Sequence, residues 1–145
     1  NGGAGVSGSG FSLTNTGTIL GGAGGSLTGT GGAGISGANL TISNSGTISG
    51  GLAADGITRA DAIAFTGGTN TLALQQGSSI TGNVVAFSAG DALVLTGSGG
   101  TFDVSKIGAS SQYRGFGVYN KTGAGTWRSQ TPHPLRLHGT SLVAC

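Results

Sequence analysis

The sequence predicts an all-β chain wound as a parallel β-helix, a solenoid of about six turns of roughly 21–22 residues each, followed by an irregular tail. Three observations carry that prediction. The chain of 145 residues holds 33 Gly and only 7% charged residues, a composition that supports an ordered fold only through dense, regular backbone hydrogen bonding. It repeats itself: residues 2–22 laid over 31–51, an offset of 29, give 12 identities in 21 positions. Its apolar residues come in short alternating runs such as "TLALQQ", "DALVLTG" and "GTFDVSK", each with one buried face and each ended by Gly, Asn or Ser.

The elements follow in order. In the first repeat, Val6/Ile35, Phe11/Leu40, Ser12/Thr41 and Leu13/Ile42 are conservative replacements, so both copies make the same strands and corners. A shorter period follows: Ala64-Phe65-Thr66 matches Ala86-Phe87-Ser88 and Ile80 matches Phe102 at 22, and Leu72-Ala73-Leu74 matches Leu93-Val94-Leu95 at 21. Leucine-rich repeats would need a helical segment in each unit, and none is present. About six coils fit in residues 1–127, a rod about 25–30 Å long at the spacing of paired strands. The expected inward positions are Phe11, Leu13, Ile19, Leu40, Ile42, Ile48, Ile63, Phe65, Leu72, Leu74, Ile80, Phe87, Leu93, Leu95, Phe102 and Val104.

Composition divides the chain at Trp127. Residues 1–127 hold Asp55, Asp61, Asp91 and Asp103 against Arg59, Lys106, Arg114 and Lys121, a net charge of 4 − 4 = 0. Residues 128–145 hold both prolines (Pro132, Pro134), both histidines (His133, His138), Arg128, Arg136 and the single Cys145, and only one glycine, Gly139. The neutral body has no Lys/Arg stripe, which argues against nucleic acid as a partner. No apolar run approaches the ~20 residues of a membrane span. No signal peptide opens the chain, so it reads as a mature segment or an internal piece.

The glycine-rich stretches raise the question of ligand chemistry. "GGAGVSGSG" and "GGAGISGAN" each contain GxGxxG, but strand residues follow, where a dinucleotide site needs a helix. A calcium-binding nonapeptide needs a carboxylate at its sixth position, where this chain places Ser7, Ser26 and Ser36. These stretches are expected to be turns, with Gly supplying positive φ. Asp55, Arg59 and Asp61 form the one local charged cluster, expected to be an exposed loop with a turn at Asp55-Gly56. A Ser-His-Asp or Cys-His site would have to borrow His133, His138 or Cys145 from the tail. "KTG" at 121–123 lacks the Ser-x-x-Lys partner it has in β-lactamases. Thr14-Asn-Thr16, Thr28-Gly-Thr30 and Thr69-Asn-Thr71 match ice-binding spacing, but at intervals that do not stack into one row. Asn39-Leu-Thr41 and Asn120-Lys-Thr122 match the glycosylation acceptor pattern. The expectation is therefore no catalytic residue, no metal and no cofactor.

"AIAFTGGTNTLALQQGSSITGNVVAFSAGDALVLTGSGGTFDVSKIG", followed by "YRGFGVYNKTGAGTW", resembles the C-terminal part of a bacterial autotransporter passenger domain. The likeness covers residues 62–127 and extends more loosely through "LTNTGTILGG" and "LTISNSGTISGG". It implies a right-handed β-helical stalk at the surface of a Gram-negative cell or secreted from it, exported through a C-terminal translocator β-barrel in the full-length protein. The expected role is display, adhesion or self-association, with a host or bacterial cell surface, or other copies of the chain, as partner. The alternatives are a carbohydrate- or ice-binding β-helix and a degenerate polysaccharide lyase. The family continues after "GAGTW" with a strand where this chain has Arg128-Ser129-Gln130-Thr131-Pro132-His133-Pro134, so the tail is expected to be foreign or frame-shifted sequence, or an end cap, with Cys145 a free thiol.

Overall fold

Val6, Ile35, Ile63, Val84 and Tyr113 lie side by side on five successive parallel strands, and that row shows how the chain is wound. The computed structural model describes residues 1–129. Each pass of the chain contributes strands to three faces. The first face stacks β1 (Val6–Ser9), β4 (Ile35–Ala38), β7 (Ile63–Gly67), β10 (Val84–Val85) and β13 (Tyr113–Arg114). The second stacks β2 (Ser12–Asn15), β5 (Thr41–Asn44), β8 (Thr71–Leu74), β11 (Ala92–Leu95) and β14 (Val118–Lys121). The third is split into β3 (Thr18–Leu20), β6 (Thr47–Ser49) and β9 (Ser79–Thr81), and a separate pair, β12 (Gly99–Phe102) and β15 (Thr126–Ser129). All these ladders are parallel, and no helix among the described residues is long and apolar enough to cross a membrane.

The offset of 29 is the register of the first turn: Val6 pairs with Ile35, Leu13 with Ile42 and Ile19 with Ile48. Along the first face, successive steps are 29, 28, 21 and 29 residues (6 to 35, 63, 84 and 113). The chain therefore makes about four turns, not six. The bare coil does take 21 residues, but only from Ile63 to Val84. The other three turns insert residues 21–34, 50–62 and 103–112 between the third face and the first. Five rungs make a stack about 20 Å tall.

Of the expected inward residues, Leu40, Ile42, Ile48, Ile63, Phe65, Leu72, Leu74, Leu93, Leu95 and Phe102 are buried. Phe11, Leu13, Ile19, Ile80 and Val104 pack half-buried against them. Phe87 is the exception, 54% exposed. Matching Ala64-Phe65 to Ala86-Phe87 at 22 is one residue out of register: Val84 pairs with Ile63 and Val85 with Ala64, an offset of 21. A one-residue slip turns every side chain to the opposite face. Tyr113, Phe116 and Trp127 fill the upper core instead, with Phe65 and Phe116 meeting edge to face at 6.3 Å and the Phe102 and Tyr113 rings tilted by 56° at 5.3 Å.

The corner between the first and second faces repeats a left-handed residue: Gly10 (φ 71°), Asn39 (φ 53°) and Gly68 (φ 65°) follow the ends of β1, β4 and β7. Glycine and asparagine are the residues that adopt this conformation at least cost. Gly68 has a second reason, since a Cβ there would overlap the Asn39 amide beneath it.

The inserted segments 21–34 and 50–62 fold differently. Their backbone hydrogen bonds recur every third residue: Gly2 and Gly5 N–H donate to Thr30 and Ala33 carbonyls, and Gly21 and Gly24 N–H to Ser49 and Leu52 carbonyls. A period of three is that of a polyproline II helix, not of a strand. Bonds also run between outgoing and returning arms, from Gly22 N–H to Gly3, Gly32 to Gly22, Gly51 to Gly32 and Ala60 to Gly51. The result is a bundle of extended glycine arms in which each N–H along one line reaches the next carbonyl. A Cβ at Gly2, Gly21, Gly32 or Gly51 would run into a carbonyl oxygen of the facing arm. Gly2, Gly3, Gly5, Gly21, Gly22 and Gly32 have no positive φ, so the "GGAG" stretches are not the turns the sequence suggested. Apart from Gly3, whose Cβ would meet nothing within 4 Å, they are glycine because only backbone fits, as at the axis of a collagen triple helix.

Two measurements check this description. Gly32→Ala and Gly51→Ala are expected to destabilise the fold by about 2 kcal/mol or more in thermal unfolding, against about 0.5 kcal/mol or less for Gly17→Ala, whose Cβ would meet nothing within 4 Å. Burial pushes the Tyr113 hydroxyl up from 10.0 to about 12. A raised folded pKa stabilises below the unfolded value and is lost as pH rises through the folded one, so the melting temperature should fall between pH 10 and 12 by more in the parent than in Tyr113→Phe.

Candidate functional site

The charged cluster sits on the second inserted segment, at the outer end of the glycine bundle. Asp55 turns back on its own loop, accepting hydrogen bonds from the Ile57 N–H (2.8 Å), the Thr58 N–H (2.8 Å) and the Thr58 hydroxyl (2.6 Å). The Thr58 hydroxyl, with the two backbone donors, holds its carboxyl below the usual range. Arg59 points the other way: its Nη1 donates to the Ser49 hydroxyl (2.9 Å) and to the Gly50 carbonyl (2.6 Å), tying the loop to the end of β6. Leu52 and Arg59 also form an antiparallel bridge that closes the segment's base. Arg59 and Asp61 line a shallow groove of about 400 Å3 with Thr30 and Ala53, while Asp55 lies outside it. The expected loop is thus present, but its carboxylates do not converge on one point. General acid–base work by a carboxylate pair needs both groups on one reacting bond.

The remaining candidates scatter. Ser7 and Ser36 stand opposite each other on the outer row of the first face, whereas Ser26 sits at the tip of the first inserted segment with φ 54°. Their positions share no loop geometry. Lys121 of "KTG" donates to the Gly123 carbonyl at 2.8 Å. Thr14 stands opposite Ser43 and Thr71 opposite Thr41, so the Thr-x-Thr pairs do not stack on one another. Asp103 caps the 3-10 turn Val104–Lys106 through the Ser105 N–H (3.0 Å) and hydroxyl (2.6 Å). Among the described residues no three His, Cys, Asp or Glu side chains come together as a metal site would require. His133, His138 and Cys145, with the tail beyond 129, lie outside the described residues. β15 carries the ladder two residues past Trp127, with Arg128 opposite Thr101 and Ser129 opposite Phe102.

The polar groups that matter most are ones the sequence reading passed over. At the corner between the first and second faces, Leu40, Asn70 and Asp91 form a vertical chain. The Leu40 N–H donates to Asn70 Oδ1 (2.9 Å), and the Asn70 N–H donates to Asp91 Oδ1 (2.9 Å). Asn70 Nδ2 bridges both Asp91 oxygens at 3.2 Å, and the Phe87 N–H reaches Asp91 Oδ2 at 2.7 Å. Asn70 and Asp91 are both fully buried. At the next corner, Asn15 Nδ2 donates to Asn44 Oδ1 (2.8 Å) and Asn44 Nδ2 to the Ser78 hydroxyl (2.8 Å). Both asparagines also hold their own turns, through the Gly17 and Gly46 N–H groups. Among the described residues no buried side-chain nitrogen or oxygen lacks a partner. The Asp91 carboxylate is saturated by four donor contacts and serves as the anchor of a corner.

No family model matches this chain, and no curated protein or solved structure matches it. The fold defines a class of architecture: a parallel β-solenoid with polar corner ladders and a glycine bundle on one edge.

The corner anchor predicts a specific cost. Asp91→Ala leaves the buried Asn70 N–H and the partly buried Phe87 N–H without their acceptor and is expected to lower unfolding free energy by about 3 kcal/mol. Asp61→Ala, on the open groove, should stay within about 0.5 kcal/mol. Equal effects in chemical denaturation would remove the anchor from the account.

Proposed function

We infer that this chain is a non-enzymatic segment of a β-helical stalk, displayed on a bacterial cell surface or secreted from it. Its proposed work is display, adhesion or self-association, as in the autotransporter passengers whose repeats it resembles. The proposed hand of the coil is right, the hand of about 98% of parallel crossovers. A host or bacterial surface, other copies of the chain, and a translocator β-barrel in a full-length protein are the partners this reading calls for.

The observation that carries it is the repeated parallel ladder, continuous on two faces. Ser7, Ser36 and Ala64 on the first face, and Ser12, Thr41 and Thr71 on the second, make outer rows of small neutral side chains over the lower three rungs, and the first row then runs through Val85 to Arg114. Such a rod has length and repeat but little charge, which suits a spacer that holds something else at a distance. Its lower edge also supports association. Among the described residues β1, β2 and β3 each have a partner on one side only. The Phe11 and Asn15 carbonyls accept from Thr41 of β5 and from Ser45 just after it, so alternation along β2 turns the Ser12 and Thr14 N–H groups to the open side. Unpaired edges of this kind recruit a further strand.

Light scattering on the 145-residue chain tests the association. The parent should rise above monomer mass with concentration, and Thr14→Pro, which removes one open N–H from an edge strand that tolerates proline, should remain monomeric. A parent that stays monomeric at every concentration would leave display and adhesion and remove self-association.

A further inference from the structure

The ladder is continuous on two faces and broken on the third, and a groove of about 400 Å3 opens near that break. β9 ends the lower three-stranded sheet and β12 begins the upper pair, with no ladder between them. The corner Gln75–Ser78 forms one wall, and Thr101, Tyr113 and Trp127 contribute to the rest. Among the described residues nothing charged lines this groove, whereas Arg59 and Asp61 line the groove beside the inserted segments.

Its polar atoms are held in place by their other halves. Gln75 Nε2 donates to the Ser43 hydroxyl at 2.6 Å, which leaves its side-chain oxygen as an acceptor. Gln76 Oε1 accepts from the Ser98 hydroxyl, which leaves its amide N–H groups as donors. Ser78 accepts from Asn44 and keeps its own proton to give. The Tyr113 side chain is 6% exposed, and its hydroxyl has no hydrogen-bond partner among the described residues. Since no buried side-chain nitrogen or oxygen among the described residues lacks a partner, this hydroxyl is the part of Tyr113 that stays open to solvent, where a ligand can meet it. Burial keeps that hydroxyl protonated across physiological pH, so it remains a donor.

We propose that this groove binds a neutral saccharide, with the Tyr113 hydroxyl, the Gln76 amide and the Gln75 side-chain oxygen meeting sugar hydroxyls against the Tyr113 and Trp127 rings. Sugar hydroxyls both donate and accept, which matches a wall of mixed single donors and acceptors. The apolar C–H face of a pyranose matches aromatic edges. Absence of charge disfavours uronates, phosphates and amines alike. Groups already fixed by a second hydrogen bond lose little freedom on binding, which favours even a small ligand. The proposal stands apart from the stalk reading, since a rod with no ligand would display or self-associate equally well.

The chain contains one tryptophan, Trp127, so its emission reports on this groove alone. Titration with cellotriose, maltotriose and N,N′,N″-triacetylchitotriose, each with trigalacturonate as the charged control, should give a saturable change for at least one neutral trimer, with Kd on the order of 1 mM. Saturation-transfer NMR reads the same contact from the sugar's protons. Tyr113→Phe keeps the ring and its packing on Phe102 and should weaken that binding about tenfold, the worth of one hydrogen bond, while the far-UV spectrum is unchanged. No saturable signal by either method, equal binding of the charged trimer, or an unaltered Kd in Tyr113→Phe would each overturn the proposal.

Discussion

Parallel main-chain pairing between like strands of successive turns is the interaction on which everything else here depends. It forces each residue to sit over its counterpart a turn away, so the interior is organised in vertical rows. Ile35, Ile63, Val84 and Tyr113 form one such row, and Ile42, Leu72 and Leu93 another. Each fully buried Ile or Leu in them contributes about 1.5–3 kcal/mol from loss of contact with water. The same stacking solves the problem of the corners, where strands end and backbone groups would otherwise be buried without partners. Asn15 over Asn44, and Asn70 over Asp91, let one side chain serve its own turn and its neighbour's together.

The ladder also explains why a chain so rich in glycine folds at all. Glycine is costly to order, yet much of it lies where two outgoing and returning arms press backbone against backbone. There a side chain would cost more than the entropy saved by removing glycine. The bundle and the coil share bonds at Gly21–Ser49, Gly34–Asp61 and Ile35–Ala62, so they stiffen one another.

Much of this was legible in the sequence, for stated reasons. The offset of 29 was readable because both copies keep the whole turn, corners and insertion included. The alternation in "TLAL" and "ALVL" identified buried and outward positions, and those residues pair as the 21-residue match requires. The number of turns was not readable from the short period, because three of four turns carry extra residues at one corner and only the third shows the bare coil. Phe87 was misplaced because Ala-Phe occurs in both segments one residue apart from true register. Local likeness does not report which carbonyl faces which N–H. Asp91 was invisible as an anchor because "GDAL" looks like any turn before a strand, and only stacking on Asn70 gives it a role. The acidic loop was readable as a loop since Asp55 caps its own turn, an interaction that spans three residues. The groove depended on a missing ladder between β9 and β12, which no local pattern encodes.

The three-residue hydrogen-bond period of the glycine arms constrains how this edge of the molecule can change over evolutionary time. Along the facing arms, the Gly51 and Ala54 N–H groups meet the Gly32 and Gly29 carbonyls, three residues apart on each side. Adding or deleting one or two residues in an arm would rotate every later N–H away from its acceptor. A change of three restores the alignment one helical repeat further out. Length variation in this corner is therefore quantised in triplets of residues, matched between neighbouring arms, whereas the chain beyond each tip is free to drift in any increment.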